Sequence, residues 1–255
     1  MLVTGSNGFI GGNIVRKYNA NGVDLRNFYD LYNYNPQLIV HCGALTKINS
    51  CIKAPELCFL QNVRLTEEVF EYARKRDSDI IFFSSSRVLN RENNPYTASK
   101  IYGEELCKAY YDCYGLRYKI IRPSTVYGPH CNTTPRLVTI FAIAAMKNDP
   151  LVVYGNDKKT LDFTYIDDFL DAFDLILEKG DWNEDYDIGS DSRYVVDAAK
   201  IIIKETRSKS SILFAEKESA QPQTVEVDWS KVAKLGYKPK YTLETGLKRT
   251  LEEGI

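Results

Sequence analysis

Residues 2–11 read Leu2-Val3-Thr4-Gly5-Ser6-Asn7-Gly8-Phe9-Ile10-Gly11, and their reading decides the fold class. Leu2 to Thr4 make a very short strand, and the three glycines make a turn that opens a helix near Phe9. Glycine lets backbone approach a phosphate closely, and a helix N-terminus offers unpaired N–H groups and a positive dipole end. The stretch predicts a nucleotide phosphate site at Gly5, Gly8 and Gly11. The plain structural alternative is a glycine-rich turn that only caps a helix.

Outward from this turn, the first helix is expected to end near Tyr18-Asn19. The next buried strand, Leu38 to Cys42, begins about 20 residues later. A full second βαβ unit needs about 30 residues. The interval therefore holds only a short strand around Val23-Asp24-Leu25 and a short helix around Asn27 to Asn33. Asp24 falls where an acid hydrogen-bonds an adenosine ribose. Two alternatives stay open: Asp24-Leu25 on a later strand touching the adenine, or a simple loop aspartate.

Further along, Pro55 to Arg76 is amphipathic and helical, with Val63, Leu65, Val69, Phe70 and Ala73 as its inner face. Asp79 to Phe83 is a buried strand ending at Ser84-Ser85-Ser86. Tyr96 to Gly115 is a helix and Tyr118 to Pro123 another strand. Strands alternating with helices predict an α/β fold with a parallel sheet and ligands outside the strands' carboxyl ends. The glycine turn, Cys42-Gly43-Ala44, the three serines and Ser124-Thr125 all fall at such ends.

Tyr96 and Lys100 stand four apart on the predicted helix, so both heads share one face. An ammonium there favours the phenolate and lowers the tyrosine from its ordinary value of about 10. Such a tyrosine exchanges protons with an alcohol or ketone near neutral pH, helped by a serine hydroxyl. The competing explanation is an ordinary solvated helix face.

From residue 129 the pattern loosens. Helices are expected at Thr134–Lys147, Asp168–Lys179, Val195–Glu205 and Leu243–Glu253, with a strand at Leu151–Tyr154. Asp168 and Asp171 read as a capping pair. The expected division is 1–128, with returning segments around 160–190, and a smaller lobe made mainly of 129–255.

The 255 residues carry 33 basic and 34 acidic side chains, a balance that predicts no nucleic-acid or anionic-membrane partner. No apolar run approaches the roughly 20 residues that span a bilayer. No signal peptide is expected, because the given start runs straight into the strand motif. Six cysteines without a CxxC and two histidines argue against a metal site and fit reduced thiols in a cytoplasmic protein. Of the histidines, His41 at a strand end reads as a hydrogen-bonded core residue, and His130 is a candidate second proton donor.

Together these residues resemble the extended short-chain dehydrogenase/reductase family, in its NAD-dependent nucleotide-sugar epimerase/dehydratase branch. The resemblance rests on the glycine spacing, His41-Cys42-Gly43-Ala44, Asn62, the serine triplet, Tyr96 with Lys100, and Arg122-Pro123-Ser124-Thr125-Val126-Tyr127-Gly128-Pro129. Asp162-Phe163-Thr164-Tyr165-Ile166-Asp167-Asp168, Tyr186 to Ser190, and Asp228-Trp229-Ser230-Lys231 before Leu235-Gly236-Tyr237 extend it over nearly the whole chain.

The resemblance implies a Rossmann-type doubly wound parallel sheet with a small C-terminal α/β substrate lobe, and NAD as cofactor, with NADP as the alternative. It implies Ser85, Tyr96 and Lys100 as catalytic residues. Cofactor contacts would come from Gly5, Gly8, Phe9, Ile10, Gly11, Asp24, Leu25, Cys42, Gly43, Ala44, Asn62, Tyr96, Lys100, Pro123 and Ser124. Ser86, His130 and Lys159 are candidate contacts for a nucleotide-sugar substrate, and a homodimer through the Tyr96 helix is expected.

The departures shape the expected activity. Family dehydratases follow the catalytic threonine with Asp-Glu, whereas Ser86-Arg87 stand here, which argues against a 4,6-dehydratase. An arginine that grips the substrate diphosphate is replaced by Leu161, and a second is not evident near Gln221-Pro222-Gln223. The later motifs resemble an epimerase. The shortened front half resembles 4-keto-deoxysugar reductases. A cofactor-binding sensor or scaffold without turnover is the third possibility.

Overall fold

The computed structural model describes residues 1–131 and 135–254, and for residues 25–28 the backbone path but not the side chains. The chain runs β1 (Leu2–Thr4), α1 (Phe9–Tyr18), β2 (Asn21–Val23), a 3-10 segment (Leu25–Asn33), β3 (Leu38–His41), α2 (Ile48–Lys53) and α3 (Pro55–Phe59). A π-helical stretch (Leu60–Arg64) then joins α4 (Leu65–Arg76), followed by β4 (Asp79–Phe83), a 3-10 turn (Ser86–Val88), α5 (Pro95–Tyr114) and β5 (Tyr118–Pro123). The remainder is β6 (Thr125–Tyr127), α6 (Leu137–Met146), β7 (Leu151–Tyr154), β8 (Thr160–Tyr165), α7 (Ile166–Lys179), β9 (Glu184–Ile188), β10 (Asp191–Tyr194), α8 (Val195–Thr206), β11 (Ile212–Ala215), α9 (Ser230–Lys234) and α10 (Leu243–Glu253).

Among the described residues the main sheet has six strands in the order β2-β1-β3-β4-β5-β9. The pairings from β2 to β5 are parallel. The order reverses between β1 and β3, which puts the ends of those two strands at a topological switch point, the ordinary ligand position in an open α/β sheet. The expected short strand is present but lies two residues earlier, at Asn21–Val23, with Asp24 and Leu25 beyond it; it is the edge strand, and the expected short helix is a nine-residue 3-10 segment. Leu31 from that segment joins Leu2, Val23, Ile39, Val69, Phe70, Ile80, Phe82 and Ile120 in one buried core.

Compact packing divides the chain into two units, Met1–Arg122 with Ile176–Tyr186, and Pro123–Leu175 with Asp187–Ile255. The second unit holds a three-stranded sheet, β10-β8-β6, and a two-stranded parallel sheet, β11-β7. Phe163, Tyr127 and Tyr165 are buried there, Tyr127 meeting both of the others edge-on.

Three expectations need correcting. Pro55 to Arg76 is not one helix, because the π stretch inserts extra backbone per turn and changes the phase. Its buried positions upstream are Cys58, Asn62 and Thr66, while Val63 and Leu65 are only half-buried. Asp168 does not cap its own helix: α7 opens at Ile166, and the Asp168 carboxylate accepts the Lys240 and Tyr241 N–H groups at 2.8 and 3.0 Å. The helix expected from Thr134 is described from Leu137, and Thr134 itself lies outside the described residues.

Candidate active site

The turn between β1 and α1 is packed backbone against backbone. Gly5 has φ +68°, and a Cβ there would stand 2.7 Å from the Gly43 backbone; a Cβ at Gly11 would stand 2.3 Å from the Gly5 carbonyl oxygen. No side chain fits at either place. Gly8, the N-cap of α1, contributes no side-chain cap bond, and the first turn carries no acidic residue. A close backbone cradle, an uncapped ten-residue helix and no nearby repelling carboxylate in that turn fit the pyrophosphate of NAD. Phe9 is buried on the inner face of α1, and Ile10 is half-buried.

β2 pairs with β1 so that Thr4 lies opposite Val23, which sets Asp24 at the carboxyl end of the strand beside the glycine turn. Asn7 Nδ2 donates to Asp24 Oδ2 at 2.8 Å. Asp24 thus follows the strand next to β1, not a later one. The Leu25 side chain lies outside the described residues. Arg16, in the last turn of α1, donates to Asn13 Oδ1 at 2.8 Å.

After β3, Cys42-Gly43-Ala44 form the loop that abuts Gly5. Burial pushes the Cys42 thiol well up, leaving it protonated. The hydrogen bonds around His41 fix its tautomer. Thr4 Oγ1 accepts the Gly43 N–H at 3.3 Å and lies 2.7 Å from His41 Nδ1. On the other side the Thr66 hydroxyl donates to Asn62 O (2.8 Å), so Thr66 Oγ1 accepts from His41 Nε2 (3.0 Å). The ring is the neutral Nε2–H form, and burial, with the Lys100 charge second, lowers its pKa to about 3. His41 is a structural link.

Asn62, turned inward by the π stretch, accepts Leu45 N–H (2.7 Å) and donates to Leu45 O (2.9 Å) and Ser99 Oγ (3.1 Å). Ser99 in turn donates to Tyr96 O at 2.7 Å. One amide side chain therefore joins the loop after β3 to the first turns of α5.

α5 begins where Asn94 accepts the Thr97 N–H (2.9 Å) and Pro95 occupies the first turn. Four-residue spacing puts Tyr96, Lys100 and Glu104 on its inner face, each no more than 6 % exposed. Lys100 Nζ donates to Phe83 O at 2.8 Å and stands 5.0 Å from the centre of the Phe82 ring. Burial lowers its pKa to about 8, with nearby Cys42, Cys51, Cys58 and Glu104 opposing the drop, so it is mostly charged at neutral pH.

The three serines behave differently. Ser84 Oγ donates to Glu104 Oε1 (2.5 Å); Ser85 caps the 3-10 turn by accepting the Arg87 N–H (3.2 Å); Ser86 accepts Leu89 N–H (3.2 Å) at its carbonyl. Ser84 meets a carboxylate and not a backbone group. Glu104 also takes both Nε and Nη2 of Arg122 at 2.7 Å, and Arg122 Nη1 reaches Asp185 at 2.7 Å.

The glycines, Asp24, Cys42, Gly43, Ala44, Asn62, Ser85, Ser86, Tyr96 and Lys100 all belong to the first unit. Pro123, Ser124, His130 and Lys159 belong to the second. Ser124 Oγ lies 2.6 Å from Thr164 Oγ1. His130 is exposed, in left-handed backbone (φ 58°), with its N–H on Gly254 O at 3.0 Å. Lys159 is buried, Nζ donating to Tyr154 O at 3.1 Å with Glu218 at 4.0 Å. Among the described residues no group of three His, Cys, Asp or Glu side chains is arranged for a metal ion, and no helix is long and apolar enough to cross a membrane.

Sequence reading missed the Thr4–His41–Thr66 chain and the Ser84–Glu104–Arg122–Asp185 cluster. The signal for the second was present: Glu104 continues the four-residue spacing of Tyr96 and Lys100.

The sequence is 28% identical to a Methanocaldococcus jannaschii protein assigned as a UDP-glucose 4-epimerase, over 98% of this chain and 97% of that one. It is 34% identical to an Arabidopsis thaliana trifunctional UDP-glucose 4,6-dehydratase, 3,5-epimerase and 4-keto-L-rhamnose reductase, over 62% of this chain but only 24% of that larger one. In structure it superposes on the UDP-glucose 4-epimerase of Thermotoga maritima, solved with UDP-glucose, with a TM-score of 0.89, 23% identity, and coverage of 99% and 97% of the two chains. The profile of one family matches residues 32–189, from the 3-10 segment to just past β9. With the glycine cradle and the Tyr96–Lys100 helix in place around that match, the chain belongs to the NAD dependent epimerase/dehydratase family.

Proposed function

We propose that the protein is an NAD-dependent epimerase of a nucleoside-diphosphate sugar, with Tyr96 as its acid/base. The carrying observation is Lys100, buried and charged one turn along α5 from Tyr96 and anchored to Phe83 O beside the serine run. Gly5, Gly8 and Gly11 would hold the cofactor pyrophosphate, with Phe9, Ile10, Cys42, Gly43, Ala44, Asn62, Pro123 and Ser124 as further contacts. Asp24 would take the adenosine ribose hydroxyls, and its charge favours NAD over NADP. When bound, NAD supplies hydride acceptance and return at its nicotinamide.

The residues do the rest. Tyr96 takes the proton from a sugar hydroxyl as its carbon is oxidised and gives it back on reduction. The Lys100 ammonium favours the phenolate, and Ser85 hydrogen-bonds the same sugar oxygen. Ser86, His130 and Lys159 are the candidate contacts for the sugar nucleotide. The relative from M. jannaschii, matched over nearly its full length, supports the epimerase reading. Exposed Leu57, Phe59, Leu60 and Tyr102 on α3, the π stretch and α5 support a homodimer through this face, and the protein would work in the cytoplasm.

A 4-keto-deoxysugar reductase is the second reading, favoured by β2 as the edge strand with only a 3-10 segment after it. The test is to denature the purified protein, identify released nucleotide by mass spectrometry, and incubate the native protein with UDP-glucose. Stoichiometric NAD and conversion to the 4-epimer are expected. An empty protein that consumes added NADH with a keto sugar would establish the reductase. Neither binding nor turnover would leave a scaffold.

A further inference from the structure

Glu104 lies one turn beyond Lys100 on the inner face of α5 and holds the neighbouring end of β4 through Ser84. Lys100 and Glu104 between them bind three consecutive residues there. The ammonium sits against the Phe82 ring and the Phe83 carbonyl, and the carboxylate accepts the Ser84 hydroxyl. The residue that follows is Ser85. A carboxylate with 6 % exposure keeps its charge only where partners compensate burial, and here both oxygens are engaged by Arg122, one of them also by Ser84.

We propose that Glu104 is a positioning residue: its carboxylate keeps Lys100 protonated for Tyr96 and fixes the strand end that presents Ser85. The inference rests on the roles given above to Tyr96, Lys100 and Ser85. Of the other groups facing Lys100, the His41 ring and the Cys42 and Cys51 thiols do not supply that negative charge. His41 and Cys42 approach from β3 and its end, Cys51 from α2 and Cys58 from α3. His41 is neutral near pH 7, and burial pushes the Cys42 and Cys51 thiols up into their uncharged form. Tyr96 shares the helix, and the carbonyl of Phe83 contributes only a dipole. Glu104 is the carboxylate of this set. Arg122 pairs with Glu104 and is itself shared with Asp185, and the two members of the Glu104–Arg122 pair carry charges of opposite sign.

That opposition sets the test. In protein labelled with [ε-13C]lysine, the Lys100 resonance, assigned by its loss in Lys100→Arg, is titrated in wild type, Glu104→Gln and Arg122→Gln. The wild-type midpoint is expected near 8. Glu104→Gln removes the anion and unmasks Arg122, so the midpoint falls, by on the order of one pH unit. Arg122→Gln leaves the anion less compensated, so the midpoint rises. A purely structural role would not move the two in opposite directions. Ser84→Ala, which leaves every charge in place, should leave the midpoint unmoved and lower kcat with UDP-glucose several-fold without changing KM.

An unmoved midpoint in whichever charge variant folds, or displacement of both in one direction, overturns the proposal for Lys100. Unchanged kcat in Ser84→Ala overturns it for Ser85. The titration needs no turnover, so midpoints that move as stated in a protein inactive toward UDP-glucose would uphold the charge assignment and count against the proposed reaction instead.

Discussion

Lys100 Nζ donates to Phe83 O at 2.8 Å, so the buried ammonium of α5 is bolted to the last residue of β4. The bond joins helix and strand, and it sets the charge next to Tyr96 on one side and Ser84-Ser85-Ser86 on the other. Its partners are a carbonyl and an aromatic face, neither of which carries a full charge. The protein thus keeps a cation where burial works against it, an arrangement that stability alone does not favour.

Replacing Lys100 should therefore separate activity from stability. A pKa lowered from 10.5 to about 8 means the charged form is disfavoured in the fold, by on the order of 3 kcal/mol at neutral pH. Lys100→Met loses a charge-assisted hydrogen bond of about 1.5–3 kcal/mol but no longer buries the charge. Urea unfolding at pH 7 should show the variant at least as stable as wild type, by up to about 1.5 kcal/mol, with turnover abolished. A less stable variant would mean that the ammonium is well solvated by its partners.

The glycine cradle makes a second prediction. Gly11→Ala places a methyl 2.3 Å from the Gly5 carbonyl oxygen, so the turn must shift. Overpacking of this kind costs about 1–3 kcal/mol. Calorimetry should show NAD affinity at least about tenfold weaker, and thermal unfolding should occur at lower temperature. Wild-type affinity in the alanine variant would remove the turn from the cofactor site.

His41 gives the pH dependence of stability. Its folded pKa, about 3, is depressed below the unfolded value of 6.5, so the unfolded chain binds the proton first as pH falls. The stabilisation is full above pH 6.5 and is lost as pH drops toward 3. Between pH 7 and pH 5 that group alone accounts for about 2 kcal/mol. Denaturant curves at the two pH values should show this loss in wild type and its absence in His41→Asn. Equal losses in both would place the acid sensitivity elsewhere.

The sequence made parts of this account readable and hid others, for physical reasons. Tyr96 and Lys100 stood out because helix periodicity places residues four apart on one face. That only a short strand and a short helix fit between α1 and β3 followed from chain length alone, although the strand is Asn21–Val23, upstream of the expected Val23–Leu25, and the helix is 3-10. α10 begins and ends where its pattern predicts, with Thr242 capping. The inward turn of Asn62 was hidden because a π stretch breaks the 3.6-residue phase that predicts inner faces. Glu104, Arg122 and Asp185 were hidden for another reason: their contacts span 18 and 63 residues, and only the folded sheet brings them together. Asp168 misled because its partners, Lys240 and Tyr241, come from the far end of the chain.

The most direct measurement is turnover and cofactor content of Tyr96→Phe, which removes one hydroxyl and leaves the ring in its buried pocket beside Ile48, Cys51 and Cys58. The variant is expected to bind NAD as wild type does and to fail to convert UDP-glucose to its 4-epimer, with kcat reduced at least about a hundredfold. Conversion at the wild-type rate would contradict the assignment of Tyr96 as the acid/base.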